Sequence, residues 1–192
     1  HPRVLGFKLQ LLVQRFHPHD ERLFPLYELV VERGKHLLLH VGNGPVGNEF
    51  VGLEGFAKVL RRYPGLPATI AHMGALEYDG FASLVEGHPG LLMDTAFAFL
   101  PRLGSMCDIG RERLEGLRDR ILYGSDFPNL LFPREDEIGQ LRSLELTDLF
   151  YRSIFRENGL ELIRRTCPGT LPAAGRGEGI TGAPPGEGPS GR

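Results

Sequence analysis

Three side chains stand out for the chemistry they can do: His40 in Leu39-His40-Val41-Gly42, His72 in Ala71-His72-Met73-Gly74, and Asp126 in Gly124-Ser125-Asp126-Phe127-Pro128. Each follows a short apolar run of the kind that forms a buried strand. Imidazole and carboxylate suit zinc and related divalent metals. A carboxylate beside a bound metal can also take the proton of an activated water. A single histidine at a strand end is explained as well by a loop-capping hydrogen bond. Two histidines and an aspartate at equivalent strand ends point to a site.

The elements that must position them alternate. Apolar strands are expected at 4–9, 37–40, 68–72, 91–95 and 121–123, five in all. Helical patterns fall at 21–33, 53–62 and 81–86, within 100–119, and over 135–165. Asp20 is a plausible N-cap for the first helix and Gly34 its stop. Continuous apolar strands between amphipathic helices mean a parallel sheet covered by helices, with the active end at the strand C-termini. Residues 1–166 read as one domain. From Cys167 the apolar periodicity stops and Gly and Pro dominate, so 167–192 is expected to be a disordered tail.

The chain of 192 residues is 41% hydrophobic, 24% charged and carries a net charge of -2. That balance argues against a nucleic-acid partner or an anionic membrane surface, which need a basic excess. No apolar run approaches the roughly 20 residues that span a bilayer. Cys107 and Cys167 form no ligand spacing and no disulfide framework, so a reducing, cytoplasmic setting is expected.

The ordered set Gly6-Phe7-Lys8-Leu9, Pro25-Leu26-Tyr27-Glu28, His40-Val41-Gly42, Ala71-His72-Met73-Gly74, Asp94-Thr95 and Asp119-Arg120-Ile121-Leu122-Tyr123-Gly124-Ser125-Asp126-Phe127-Pro128 resembles the amidohydrolase 2 group. This group includes pyrone-dicarboxylate lactonase and the resorcylate-type decarboxylases. The resemblance implies an α/β fold, a (β/α)₈ TIM barrel of which strands 4 to 8 lie here. It implies metal-dependent hydrolysis or non-oxidative decarboxylation of a small carboxylated or cyclic substrate. By the same resemblance His40 and Asp126 are metal ligands, His72 either binds metal or polarises the reacting group, Asp126 can also accept a proton, and the cofactor is a divalent metal, with Zn²⁺ first. The group's His-x-His pair on the first barrel strand is not found where it belongs. Gln10 stands where many members carry histidine, and Lys8 is read as structural or substrate-side. The expectation is a truncated enzyme, self-associating through open sheet edges. The competing reading is a remnant without a complete metal site.

Other features read as decoys. His17-Pro18-His19 spells His-x-His, but Pro18 and the following Asp20 place it in a loop. Gly42-Asn43-Gly44-Pro45-Val46-Gly47 spells a dinucleotide fingerprint, yet no helix opens at the glycines. We read it as an active-site loop with Asn43, Asn48 and Glu49 free to touch substrate. Ser125 lacks a nucleophile elbow. Asp94 is either an orienting residue or a carboxylate beneath the site. His36 and His88 are read as solvated, and Cys107 as packing.

Overall fold

The computed structural model describes residues 1–44, 46–100, 107–129 and 133–171. Five strands, β1 (Gly6–Gln10), β2 (His36–His40), β3 (Ala68–Ile70), β4 (Leu91–Asp94) and β5 (Ile121–Leu122), form one sheet in sequential order. All four pairings are parallel. This is the expected partial barrel sheet.

Register divides the strands into two faces, because side chains alternate with a period of two. One face carries Leu37 and Leu39, Ala68 and Ile70, Leu91 and Met93, and Ile121, all fully buried. They pack in one core with Tyr27 and Val30 of α2 (Phe24–Glu32), Phe56, Val59 and Leu60 of α3 (Leu53–Arg62), and Phe81, Ala82 and Val85 of α4 (Tyr78–Gly87). The other face carries Lys8 and Gln10, His36, Leu38 and His40, Thr69, Asp94 and Leu122. Every polar strand residue with chemical interest thus shares the face turned away from α2, α3 and α4. A cavity of about 420 Å³ lies there, lined by Lys8, His36, Thr69 and Asp94 among others.

A four-residue α1 (Leu11–Gln14) follows β1, and α5 (Arg111–Gly116) precedes β5. After β5 come α6 (Arg134–Ser143), α7 (Asp148–Arg152) and α8 (Asn158–Thr166). Asn158 donates to the carbonyls of Arg118 and Ile121, both at 2.7 Å, and so ties α8 to β5. Asp20 caps as expected, accepting from the Arg22 N–H, though the turn it starts is a 3₁₀ turn before α2. Gly34, at φ +58°, ends α2 in the left-handed region open to glycine.

Three expectations need correcting. The third strand ends at Ile70, so His72 sits in a turn beyond it. His36 is buried, not solvated: β1 pairs alongside it, and its Nε2 lies 2.8 Å from Thr69 Oγ1. Burial pushes its pKa down to about 4. Cys167, expected to open the tail, is buried, and its N–H extends α8 by bonding Ile163 O. Residues 172–192 of the expected tail lie outside the described residues. Both cysteines are free and buried. No helix among the described residues is long and apolar enough to cross a membrane.

Candidate functional site

His40 is the last residue of β2 and His72 lies two residues past β3, on the adjacent strand's loop. Their rings meet edge to face, with His72 Nε2 3.1 Å from His40 Nδ1. His72 Nδ1 lies 3.2 Å from the Ala96 carbonyl, which can only accept, so Nδ1 carries the proton. Nε2 of neutral His72 then accepts from His40 Nδ1–H. The Gln10 amide nitrogen lies 3.3 Å from the same His40 nitrogen; with Nδ1 protonated this pair becomes a hydrogen bond only when the amide is assigned the other way round, its oxygen facing Nδ1. His40 Nε2 is buried without a hydrogen-bond partner among the described residues; with the proton assigned to Nδ1, it carries the lone pair. Burial lowers the pKa of both histidines, with Lys8 adding for His40 and His40 itself adding for His72. Burial therefore favours the neutral form of both.

Asp126 sits apart from this pair but within electrostatic reach, since its carboxylate raises both histidine pKa values against the stronger effect of burial. Its Oδ1 is 3.4 Å from Lys8 Nζ. Lys8 and Gln10 are two apart on β1 and so face the same way. One approaches Asp126 and the other His40, giving both positions a place at the site that the residue types alone left open.

The backbone here is strained. His72, Met73, Phe97 and Asp126 all have positive φ, at 59°, 56°, 44° and 51°. Such conformations cost on the order of 1–3 kcal/mol each and persist where surrounding contacts impose them. Asp94 supplies two of those contacts: its Oδ1 accepts the N–H of His72 at 3.0 Å and of Ala96 at 3.1 Å. It thus orients His72 through the main chain. Burial pushes its carboxyl up to about 6. Asp94→Ala leaves two buried donors without their acceptor, so urea denaturation is expected to show a loss of about 2 kcal/mol, with Asp94→Asn much closer to wild type.

The loop residues differ from expectation. Asn43 donates to Glu77 and Asn48 to Leu12 O, so neither is free for substrate. Glu77 also accepts from Leu53 N with both oxygens. The N-terminus of α3 is thereby filled by a protein carboxylate, which removes the phosphate position a dinucleotide would need. His17 and His19 lie in a loop, rings 5.4 Å apart, as the proline implies. His88 is half-buried against Leu84 O.

Whether these groups suit a divalent metal is decided by the donors left over. Asp126 Oδ1 is engaged by Lys8, and both His72 nitrogens are used. His40 Nε2 is the nitrogen that remains of the pair. A catalytic zinc takes three protein ligands and a water. Among the described residues no group of three or more His, Cys, Asp or Glu side chains is placed to hold a metal. The described residues do not by themselves fit the metal.

A parallel sheet with helices on one face and its reactive groups at the strand C-termini defines a TIM-barrel type of α/β protein. The chain belongs to the amidohydrolase family, whose model matches residues 1–165. Similar solved structures include an uncharacterized TIM-barrel protein from Bordetella bronchiseptica, 19% identical with a TM-score of 0.68 over 79% of this chain and 53% of that one. The 4-oxalomesaconate hydratase of Rhodopseudomonas palustris is 17% identical, with a TM-score of 0.53 over 84% of this chain and 56% of its own. A candidate 2-pyrone-4,6-dicarboxylic acid hydrolase from Pseudomonas putida is 19% identical, with a TM-score of 0.54 over 83% and 63%. At these identities the likeness shows the fold. The chain spans between about half and two thirds of the length of these structures. No curated protein matches it.

Proposed function

We propose that this chain carries one part of the site of a metal-dependent amidohydrolase acting on a small carboxylated or cyclic substrate, by hydrolysis or by non-oxidative decarboxylation. The observation that supports this most directly is the buried, unpartnered Nε2 of His40, set beside His72 and across from the Lys8–Asp126 pair. His40 and Asp126 are the ligand candidates, and further ligands are needed beyond them. His72 is anchored through Nδ1 to Ala96, so Nε2 is the atom that turns from His40 to polarise the substrate. Asp126 accepts the proton, and the Lys8 ammonium beside it holds a substrate carboxylate. Two free cysteines suit a reducing, cytoplasmic setting. Self-association through the terminal strands β1 and β5 belongs to the same reading.

The test is zinc calorimetry and turnover on this chain beside a fusion that adds barrel strands bearing a His-x-His pair. The expected result is weak zinc binding by the chain alone. The fusion is expected to bind zinc tightly and turn over, with losses of about 100-fold or more in His72→Ala and Asp126→Ala. Tight stoichiometric zinc on the chain alone would overturn the incomplete site, and fusion turnover indifferent to both replacements would overturn the assigned roles.

A further inference from the structure

Glu137 stands in α6, 40 residues along the chain from the loop after β4, yet it is 3% exposed. Its Oε1 accepts the Phe97 N–H at 2.8 Å and its Oε2 accepts the Tyr123 hydroxyl at 3.3 Å. The Phe97 N–H and the Tyr123 hydroxyl thus meet the two oxygens of one buried side chain, and the Phe97 contact needs only one of them as acceptor, whether the carboxyl is protonated or not. Phe97 is held at φ 44°, a conformation an L-residue does not keep unaided. Its ring stacks on the His72 imidazole, centroids 4.2 Å apart and planes 29° from parallel. A continuous path therefore runs from the α6 carboxylate through the Phe97 main chain to the face of His72.

We propose that Glu137 is a positioning residue that pins Phe97 in its strained conformation and so sets the orientation and enclosure of the His72 ring. The role matters for chemistry only on the reading that His72 acts at the reacting centre. The contact itself stands apart from that reading. Glu137 touches neither His40 nor Asp126 through any hydrogen bond or ion pair described. It acts on a face of His72 that neither His40 nor Ala96 controls, so it fixes the ring's tilt where the two nitrogen contacts fix its in-plane direction.

The experiment is proton–carbon NMR of the histidine Cε1–H groups at one fixed pH, on the full chain. His36 is the internal control: it is buried in the same sheet but bonds Thr69 and does not meet Phe97. In Glu137→Ala the His72 resonance is expected to move to lower field as the shielding ring departs, while His36 stays. Phe97→Leu is expected to give the same pattern with α6 untouched. Glu137→Gln keeps an oxygen for the Phe97 N–H and is expected to restore the native signal. If Glu137→Ala does not fold, Glu137→Asp, one methylene short, is read the same way. A native His72 signal in the folded Ala or Asp variant overturns the proposal, as does a shift of His36 together with His72, which marks general loosening. Absence of turnover leaves this outcome untouched. A native His72 signal in turn leaves the proposed chemistry standing without Glu137.

Discussion

A Gly42→Ala variant is expected to lose about 3 kcal/mol or more of stability, and with it the contact between His40 and His72. Gly42 lies in the loop leaving β2, two residues after His40, where it crosses the loop leaving β3. A methyl group on Gly42 meets Gly74 C at 2.5 Å, Gly74 O at 2.7 Å and Ala75 N at 2.7 Å. All three are main-chain atoms, so no side chain can swing aside. The crossed loop cannot retreat easily either. Gly74 is at φ +76°, and a β-carbon there would already lie 2.3 Å from the Phe81 ring. The Ala75 carbonyl accepts from Gly44 N at 3.1 Å, locking the two loops together. Overpacking of a rigid contact costs about 1–3 kcal/mol, and more where backbone must move. The movement here separates the two strand ends that carry the histidines. Gly139→Ala, an exposed position within α6 whose added methyl meets nothing within 4 Å, is the control and should gain up to about 1 kcal/mol. Urea denaturation of both variants, with the histidine resonances as a second readout, decides the matter. Equal stability of the two would show that the loops do not pass as closely as described.

What could be read in the sequence depended on whether a residue's surroundings are local. His40 announces itself because a polar ring ends the apolar run Leu37–Leu39, and Asp126 because Gly124 and Pro128 punctuate its loop. The five parallel strands follow from the same local runs. His36 did not announce its burial. It opens the same run, and its enclosure depends on β1 lying alongside and on Thr69 of the next strand. Asn43 and Asn48 looked free because their partners, Glu77 and Leu12 O, are 34 and 36 residues away. Glu137 is the clearest case. Arg134-Glu135-Asp136-Glu137 reads as a solvated helix start favoured by the helix dipole. Nothing nearby marks one of its three carboxylates as the acceptor for Phe97. Lys8 and Gln10 were noticed by type, but only the strand's alternation and its neighbours assign one to Asp126 and the other to His40.

Glu137 also governs the second large effect, which is a dependence of stability on pH. Burial outweighs the Phe97 and Tyr123 hydrogen bonds and pushes its carboxyl from 4.5 up to about 7. The folded state then holds the proton more tightly than the unfolded state. Between those two values the unfolded chain binds fewer protons, so this group's contribution to stability falls as pH rises. It is most favourable below about 4.5 and has reached its full cost above about 7. A shift of that size sets a ceiling of about 3 kcal/mol at 1.36 kcal/mol per unit, lowered by solvent screening at the helix start. Glutamine mimics the protonated group and cannot ionise. Glu137→Gln is therefore expected to match wild type near pH 4.5 and to exceed its stability by up to about 3 kcal/mol at pH 8.5. His36, with its pKa lowered to about 4, acts in the opposite sense: its stabilising effect is complete above about 6.5 and is lost toward pH 4. It is present in both proteins and cancels in the difference. Urea midpoints for the two proteins across this range give the comparison. A difference that stays flat from pH 4.5 to 8.5 would mean that Glu137 ionises in the folded protein as readily as in water, and would overturn the upward shift assigned to its burial beside Phe97 and Tyr123.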